Sequence, residues 1–99
     1  MFKLPLKDPV AERVLAEEII RQGRREGMPL SPQHLEILKT LFAAYGIVSF
    51  KTLGRAIRCG SKRPSGVLRT RMPVLRKAVA PYGYRINAYR HLGYAIYQV

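Results

Sequence analysis

The most constraining feature of the sequence is the stretch from Gly66 to Ile96, in which a basic segment with regularly spaced apolar residues precedes a Pro/Gly corner and two strand-like runs. Within the basic segment, apolar residues recur at helical spacing, and these are Leu68, Met72, Leu75 and Val79. At 3.6 residues per turn they share one stripe, which predicts a helix packed on a core. The stretch as a whole predicts a helix followed by a hairpin.

The opposite face of this predicted helix carries mostly short side chains, and cations border it on both sides. On a helical wheel the outward residues are Gly66, Thr70, Pro73, Val74 and Lys77, and the flanking residues are Arg69, Arg71 and Arg76. Such a face suits the major groove of duplex DNA, because short side chains let the backbone approach base edges while long basic ones reach phosphates. The alternative is an ordinary core helix with a solvated charged face. Pro73 removes one intrahelical hydrogen bond and is expected to bend the helix.

The residues after Val79 predict a break and then a β-hairpin. Pro81 cannot continue a helix, and Gly83 suits a turn. The runs 84–86 and 94–97 alternate aromatic or β-branched residues with others, around a tip at residues 90–93. An arginine at this tip, Arg90, suits a DNA minor groove, whose negative potential attracts it. The alternative is a hairpin that only closes the core.

Four short segments of the chain follow the order and spacing of motifs from one known family. They read LSPQHLEILKTL at 30–41, VSFKTLGRAI at 48–57, LRKAV at 75–79 and INAYRHLGYAI at 86–96. In these segments, residues 29–96, about two thirds of the chain, resemble the winged-helix DNA-binding domain of OmpR/PhoB-type transcriptional regulators. The resemblance implies a winged helix-turn-helix with a C-terminal β-hairpin wing. Together with an extra N-terminal helix that the first residues predict, the expected fold is α+β and mostly helical.

The resemblance also implies roles for individual residues. Base-reading positions correspond to Arg69, Thr70 and Val74, backbone-binding positions to Arg71 and Arg76, and the wing arginine to Arg90. The chain departs from the family at Pro73 and Val74, where family members are commonly basic, and at Ala88, where threonine is common. Val74 could instead pack on a thymine methyl group.

Further cations extend the candidate interface. Lys77 lies on the outward face of the predicted recognition helix, and Lys51 and Arg55 lie one turn apart in the helix before it, on a surface expected near the DNA backbone. Lys62 and Arg63 belong to the loop 58–65, which in the family often contacts RNA polymerase. Here phosphate contact is equally plausible, and a solvated turn is the alternative.

Charge is unevenly distributed along the chain. The net charge is +12, and residues 31–99 carry twelve basic side chains and a single acidic one, Glu36, whereas residues 1–30 carry six basic and five acidic ones. An excess of this kind attracts phosphates without regard to sequence. A ribosomal protein or a protein at a membrane surface would show the same balance.

The first residues predict a separate helix over residues 8–26. Asp8 can cap it, Pro9 fits the first helical position, and Gly23 and Gly27 offer stops. The predicted apolar stripe consists of Val10, Val14, Leu15 and Ile19. The family has a small sheet here and often a receiver domain, and neither is visible. The helix either folds back over apolar surface or pairs with another copy or a partner. The expected division is an extension at 1–27 and a winged-helix domain at 28–99.

Two more helices are expected between these regions. Ser31-Pro32 begins the first, with a predicted buried stripe of Leu35, Leu38, Phe42 and Tyr45 and an end at Gly46. Residues 47–48 could add a short strand. Ser49 is expected to cap the second helix, with Phe50, Leu53 and Ile57 facing inward.

Several function classes find no support in the sequence. Cys59, His34 and His91 are too scattered for a metal site, no pair of carboxylates suggests acid–base catalysis, and no glycine loop suggests a nucleotide cofactor. No apolar stretch is long enough to span a membrane, and no signal peptide is evident. We therefore expect a cytoplasmic, nucleoid-associated protein of bacterial or phage type, without a cofactor, a metal, a small-molecule substrate or enzymatic activity.

The expected function is sequence-specific binding of double-stranded DNA in transcriptional regulation. RNA polymerase and a second copy on DNA are possible partners. One alternative is a module that docks on RNA polymerase or another regulator, and another is a nonspecific basic nucleic-acid binder. RNA is a weaker alternative, because Tyr84, Tyr89 and Tyr94 look partly structural.

Overall fold

The computed structural model describes residues 9–44, 46–58, 60 and 63–99, which form four α-helices and a three-stranded antiparallel sheet. The α+β, mostly helical fold class expected from the sequence is therefore confirmed. In chain order the elements are α1 (Pro9–Arg25), α2 (Pro32–Ala43), β1 (Val48–Ser49), α3 (Phe50–Ala56), α4 (Pro64–Val79), a 3₁₀ turn (Ala80–Tyr82), β2 (Tyr84–Tyr89) and β3 (Gly93–Gln98).

Helix α1 buries only part of the predicted apolar stripe. Ile19 is fully buried and Leu15 packs against the core, whereas Val10 and Val14 are 71% and 59% exposed and do not face it. The buried residues are Ala16, Ile19, Ile20 and Gly23, which follow helical spacing on their own. They pack in the same core as α2 and α4, as the first of the two interpretations of this helix requires.

The end of α1 is fixed by a left-handed glycine. Gly27 has φ +85°, its N–H donates to the Arg24 carbonyl at 3.0 Å, and the Met28 N–H donates to the Gly23 carbonyl at 2.9 Å. This is the hydrogen-bond pattern of a Schellman motif. Gly23 is not a stop: it lies buried within the helix, where an added Cβ would overlap the Leu30 side chain. The predicted cap, Asp8, lies outside the described residues.

Helix α2 begins as predicted, with Ser31 before it and Pro32 at its first position. Its buried residues are His34, Ile37, Leu38, Leu41 and Phe42. Leu35 is only half-buried, and Tyr45 lies outside the described residues. The helix ends at Ala43, before Gly46 is reached, with the Ala44 N–H donating to the Leu41 carbonyl.

Helix α4 begins two residues earlier than predicted, since Pro64 rather than Gly66 opens it. All four residues of the predicted stripe are at most 1% exposed, which confirms the core-facing side. The helix continues through Pro73, which has no N–H to donate to the Arg69 carbonyl. Helix α3 packs closely on the first turn of α4, because a Cβ added at the buried Gly54 would lie only 2.7 Å from Cβ of Pro64.

The sheet has the strand order β1-β3-β2. The hairpin strands extend further than predicted, so Gly93 belongs to β3, where it pairs with Ser49 of β1 and Tyr89 of β2. Two edge-to-face ring pairs join the sheet to the helices: Phe42 with Tyr84 at 5.1 Å between ring centroids, and Phe50 with Tyr94 at 5.7 Å. The predicted short strand is confirmed at Val48, while Ile47 is 46% exposed.

Replacement of Gly93 by alanine should destabilise the fold. The added Cβ would overlap the carbonyl oxygen of Val48, and because the overlap is with backbone, the β1–β3 pairing must open. We expect a loss of about 1–3 kcal/mol in the free energy of unfolding and a fall in Tm of roughly 4–20 °C.

The matched control is Gly46→Ala, because a Cβ there meets nothing within 4 Å. Thermal unfolding followed by circular dichroism measures both variants. Equal Tm values for the two would contradict the close approach at Gly93.

Candidate nucleic-acid interface

Helix α3 presents two of the predicted cations. Its start is fixed by Ser49, whose Oγ accepts a hydrogen bond from the Thr52 N–H at 3.1 Å. Leu53 is fully buried, as predicted, while Lys51 and Arg55 are exposed. The two cations are one helical turn apart, so they share a solvent-facing side of α3.

The outward face of α4 carries most of the residues that the helical wheel assigned to it. Gly66, Thr70, Pro73 and Lys77 are exposed, as is the flanking Arg69. Val74 was expected to face outward, but it is half-buried and packs against the core. The Thr70 hydroxyl donates to the Val67 carbonyl at 2.7 Å. Since a hydroxyl has a single proton, Thr70 keeps acceptor capacity and a methyl group for any ligand.

Arg71 belongs to a hydrogen-bond relay that joins three helices. Its Nε and Nη2 donate to Oε1 of Gln33 at 3.2 and 3.1 Å, and Nε2 of Gln33 donates to the Ile57 carbonyl at 3.3 Å. The relay connects α4 to the beginning of α2 and to the residue that ends α3. Because the Gln33 amide is neutral, it orients the guanidinium without cancelling its charge.

Arg76 makes the corresponding contact with the sheet. Its Nε donates to the Ile86 carbonyl of β2 at 3.3 Å, although the side chain remains exposed. The other N–H groups of the guanidinium are available for a ligand. Arg71 and Arg76, which were predicted to bind the DNA backbone, are thus each anchored to a neighbouring element.

The hairpin tip is a tight turn. The Leu92 N–H donates to the Tyr89 carbonyl at 2.9 Å, and His91 adopts φ +63°, a left-handed conformation that is uncommon for a residue other than glycine. Arg90 is exposed and Leu92 is 57% exposed. The tip therefore presents one cation and one apolar side chain to solvent.

The charged side chains of α3, α4 and the hairpin are all basic. The ion pairs Arg21–Glu18 and Lys39–Glu36 lie within α1 and α2. No Asp or Glu follows Glu36 in the sequence. The cations of α3, α4 and the hairpin consequently have no carboxylate within those elements, which favours an anionic ligand.

His34 is the buried polar residue of the described core, at 5% exposure. Its Nδ1 accepts a hydrogen bond from the Ser31 N–H at 2.9 Å, and the Ser31 Oγ lies 2.8 Å from the same nitrogen. Burial lowers the pKa of His34, and the nearby Arg71 lowers it further. The imidazole is therefore neutral in the fold, where it completes the cap of α2.

Sequence reasoning missed some cations. Arg58, which follows α3 at φ +52°, and Arg85 of β2 are both exposed. Arg85 lies between Tyr84 and the buried Ile86, so the alternation of a strand would have assigned it an outward position. The Gln33–Arg71 contact joins residues that are far apart in sequence, and no local pattern indicates it.

Other predicted residues fall at the edge of the described structure. Arg63 is the exposed residue that precedes α4, while Lys62 and Cys59 lie outside the described residues. Among the residues that are described, no group of three or more His, Cys, Asp or Glu side chains could hold a metal ion. No described helix has the length and apolar character that crossing a membrane requires.

Comparisons of the chain with protein-family models, with curated proteins and with solved structures found no match.

Stability should fall as the pH is lowered through the ordinary pKa of histidine. The folded-state pKa of His34 is below the ordinary histidine value of 6.5, so the unfolded chain takes up the proton first. The stabilisation is complete above 6.5 and is lost towards the folded pKa, with a slope of at most about 1.4 kcal/mol per pH unit.

Urea unfolding between about pH 7.5 and 5.5 measures this dependence, a range chosen because most carboxylates titrate below it. His34→Gln keeps a capping acceptor at this position without titrating, and should remove that part of the slope. An unaltered slope in His34→Gln would contradict the assignment.

Proposed function

We propose that residues 28–99 form a winged helix-turn-helix domain that binds double-stranded DNA in a sequence-specific manner and regulates transcription. The observation that carries the proposal is the outward face of α4, which is uncharged at its centre and flanked by cations. The order of elements from α2 to β3, with β1 paired on β3, supports it, because this order matches the one that the resemblance to OmpR/PhoB-type domains implies.

In this proposal α4 is the recognition helix and enters the major groove. Thr70, Val74 and Arg69 contact base edges, while Lys77 and the anchored Arg71 and Arg76 contact phosphates. Anchoring favours binding, because fewer side-chain rotamers are lost when the complex forms.

The elements on either side of α4 extend the contact. Lys51 and Arg55 of α3, together with Arg63 before α4, reach the DNA backbone. The proposal gives the same role to Lys62, which lies outside the described residues. The hairpin is the wing, and Arg90 at its tip enters the minor groove. The excess of basic residues after Glu36 provides attraction to phosphates that does not depend on sequence and that acts before the specific contacts form. The protein thus acts at the nucleoid, alone or as a pair on DNA.

A protein-docking function is the second candidate, and the exposed valines of α1 favour it. Val10 and Val14 are one turn apart on a helix whose other side is buried in the core. Apolar side chains on one exposed side suit a protein partner, such as RNA polymerase or another regulator. This surface involves no residue of α3, α4 or the hairpin, so the two functions can be separated by mutation.

The proposal is tested by selection from a library of random DNA duplexes at near-physiological salt, with excess nonspecific competitor. A sequence-specific regulator should enrich a motif, and the motif's symmetry will report whether one or two copies bind. Bulk binding without a motif would indicate a nonspecific binder and would contradict the proposal.

Replacement of Arg90 by alanine should weaken binding to the selected duplex. If the arginine neutralises one phosphate charge, the slope of log K against log salt should fall in magnitude by about 0.9. Fluorescence anisotropy titrations at several salt concentrations measure both quantities.

Arg13→Ala is the matched control, because Arg13 is an exposed arginine of α1. It should change affinity and slope much less than Arg90→Ala does. The wing assignment would be wrong if the two variants behaved alike.

A further inference from the structure

The centre of the outward face of α4 is apolar. Thr70, Pro73 and Val74 lie within about one helical turn of each other, with Thr70 and Pro73 exposed and Val74 half-buried. Arg69 and Lys77 are exposed at its margins. Any ligand drawn to the cations therefore meets methyl and methylene groups at the centre.

Three polar side chains of this helix, Thr70, Arg71 and Arg76, make hydrogen bonds within the protein. The only hydroxyl proton of Thr70 is donated to the Val67 carbonyl at 2.7 Å. Arg71 donates two N–H groups to Gln33 and Arg76 donates one to the Ile86 carbonyl, and both side chains flank the outward face, where their remaining N–H groups suit phosphates. Direct reading of bases by hydrogen bonds is correspondingly limited near the centre of the helix.

Among the base edges in the major groove, thymine presents an apolar group, its 5-methyl. We propose that α4 recognises thymines through contact of this methyl with the methyl of Thr70, the ring of Pro73 and the methyls of Val74. The inference rests on the proposed function, since it takes duplex DNA as the ligand, and it adds the chemical feature that is read. Thymine-containing duplex DNA is then the ligand, and uracil-containing duplexes are discriminated against.

The test compares two random duplex libraries that are identical except that one is synthesised with deoxyuridine in place of thymidine. The substitution deletes the 5-methyl and leaves the base-pairing groups unchanged. The thymine library should yield a motif with fixed thymines. Replacing each contacted thymine by uracil should then lower affinity about fourfold, the effect expected for one methyl-sized apolar group, whereas replacement outside the motif should have no effect.

Protein variants identify the residues that contact the methyl. Thr70→Ser removes only the methyl group and keeps the hydroxyl that binds the Val67 carbonyl, and because Thr70 is exposed the fold is not at risk. Val74→Ala removes the second contact. In both variants the ratio of thymine to uracil affinities should move towards one. Lys77→Ala is the control, and it should weaken binding to both duplexes while keeping the wild-type ratio.

The outcomes separate this inference from the proposed function. An enriched motif with equal affinity for the thymine and uracil forms would overturn the methyl contact and leave sequence-specific binding intact. The same conclusion would follow if neither Thr70→Ser nor Val74→Ala changed the affinity ratio. The absence of a motif in both libraries would overturn the proposed function, and the methyl contact with it.

Discussion

The pairing of β1 with β3 is the constraint on which the arrangement of the other elements depends. It joins the residues just before α3 to the hairpin that follows α4, so the chain closes on itself around the core helices. Gly93 allows this pairing because it has no side chain at the point where the Val48 carbonyl lies. The Phe50–Tyr94 ring contact adds a second link at the same place. A strand of two residues thereby determines where the hairpin lies relative to α3 and α4.

The cationic side chains on this framework are held in different ways. Arg71 and Arg76 each donate to a neutral acceptor on a neighbouring element, whereas Arg69, Lys77 and Arg90 extend from exposed positions. A neutral acceptor directs a guanidinium while leaving its charge in place, whereas a carboxylate would compensate that charge. The fold therefore combines fixed and adjustable cations, which suits a ligand whose phosphates recur at regular spacing.

Local sequence patterns accounted for much of this fold. The stripe of α4 and the caps at Ser31 and Ser49 could be predicted because spacing and capping chemistry are local properties. The buried face of α1 could be predicted only in part. Ile19 was in the predicted stripe, but Ala16 and Gly23 are weakly hydrophobic, and Val10 and Val14 fit a stripe that the fold does not bury. Tertiary contacts such as Gln33–Arg71 join residues far apart in the sequence, and no local sequence pattern predicts them. Helical spacing and the resemblance named the residues of the candidate site, whereas the hydrogen bonds that orient Arg71 and Arg76 depend on the folded chain.

The one-sided charge of the segment after Glu36 also affects the protein when no ligand is bound. Lys39 pairs with Glu36, but the eleven cations that follow have no acidic residue among them in the sequence, and their mutual repulsion in the compact state opposes folding. Counter-ions screen this repulsion, so added salt should stabilise the free protein. The proposed DNA ligand would relieve the repulsion as well, and folding would then be linked to binding. The bound protein would accordingly resist unfolding and proteolysis better than the free one.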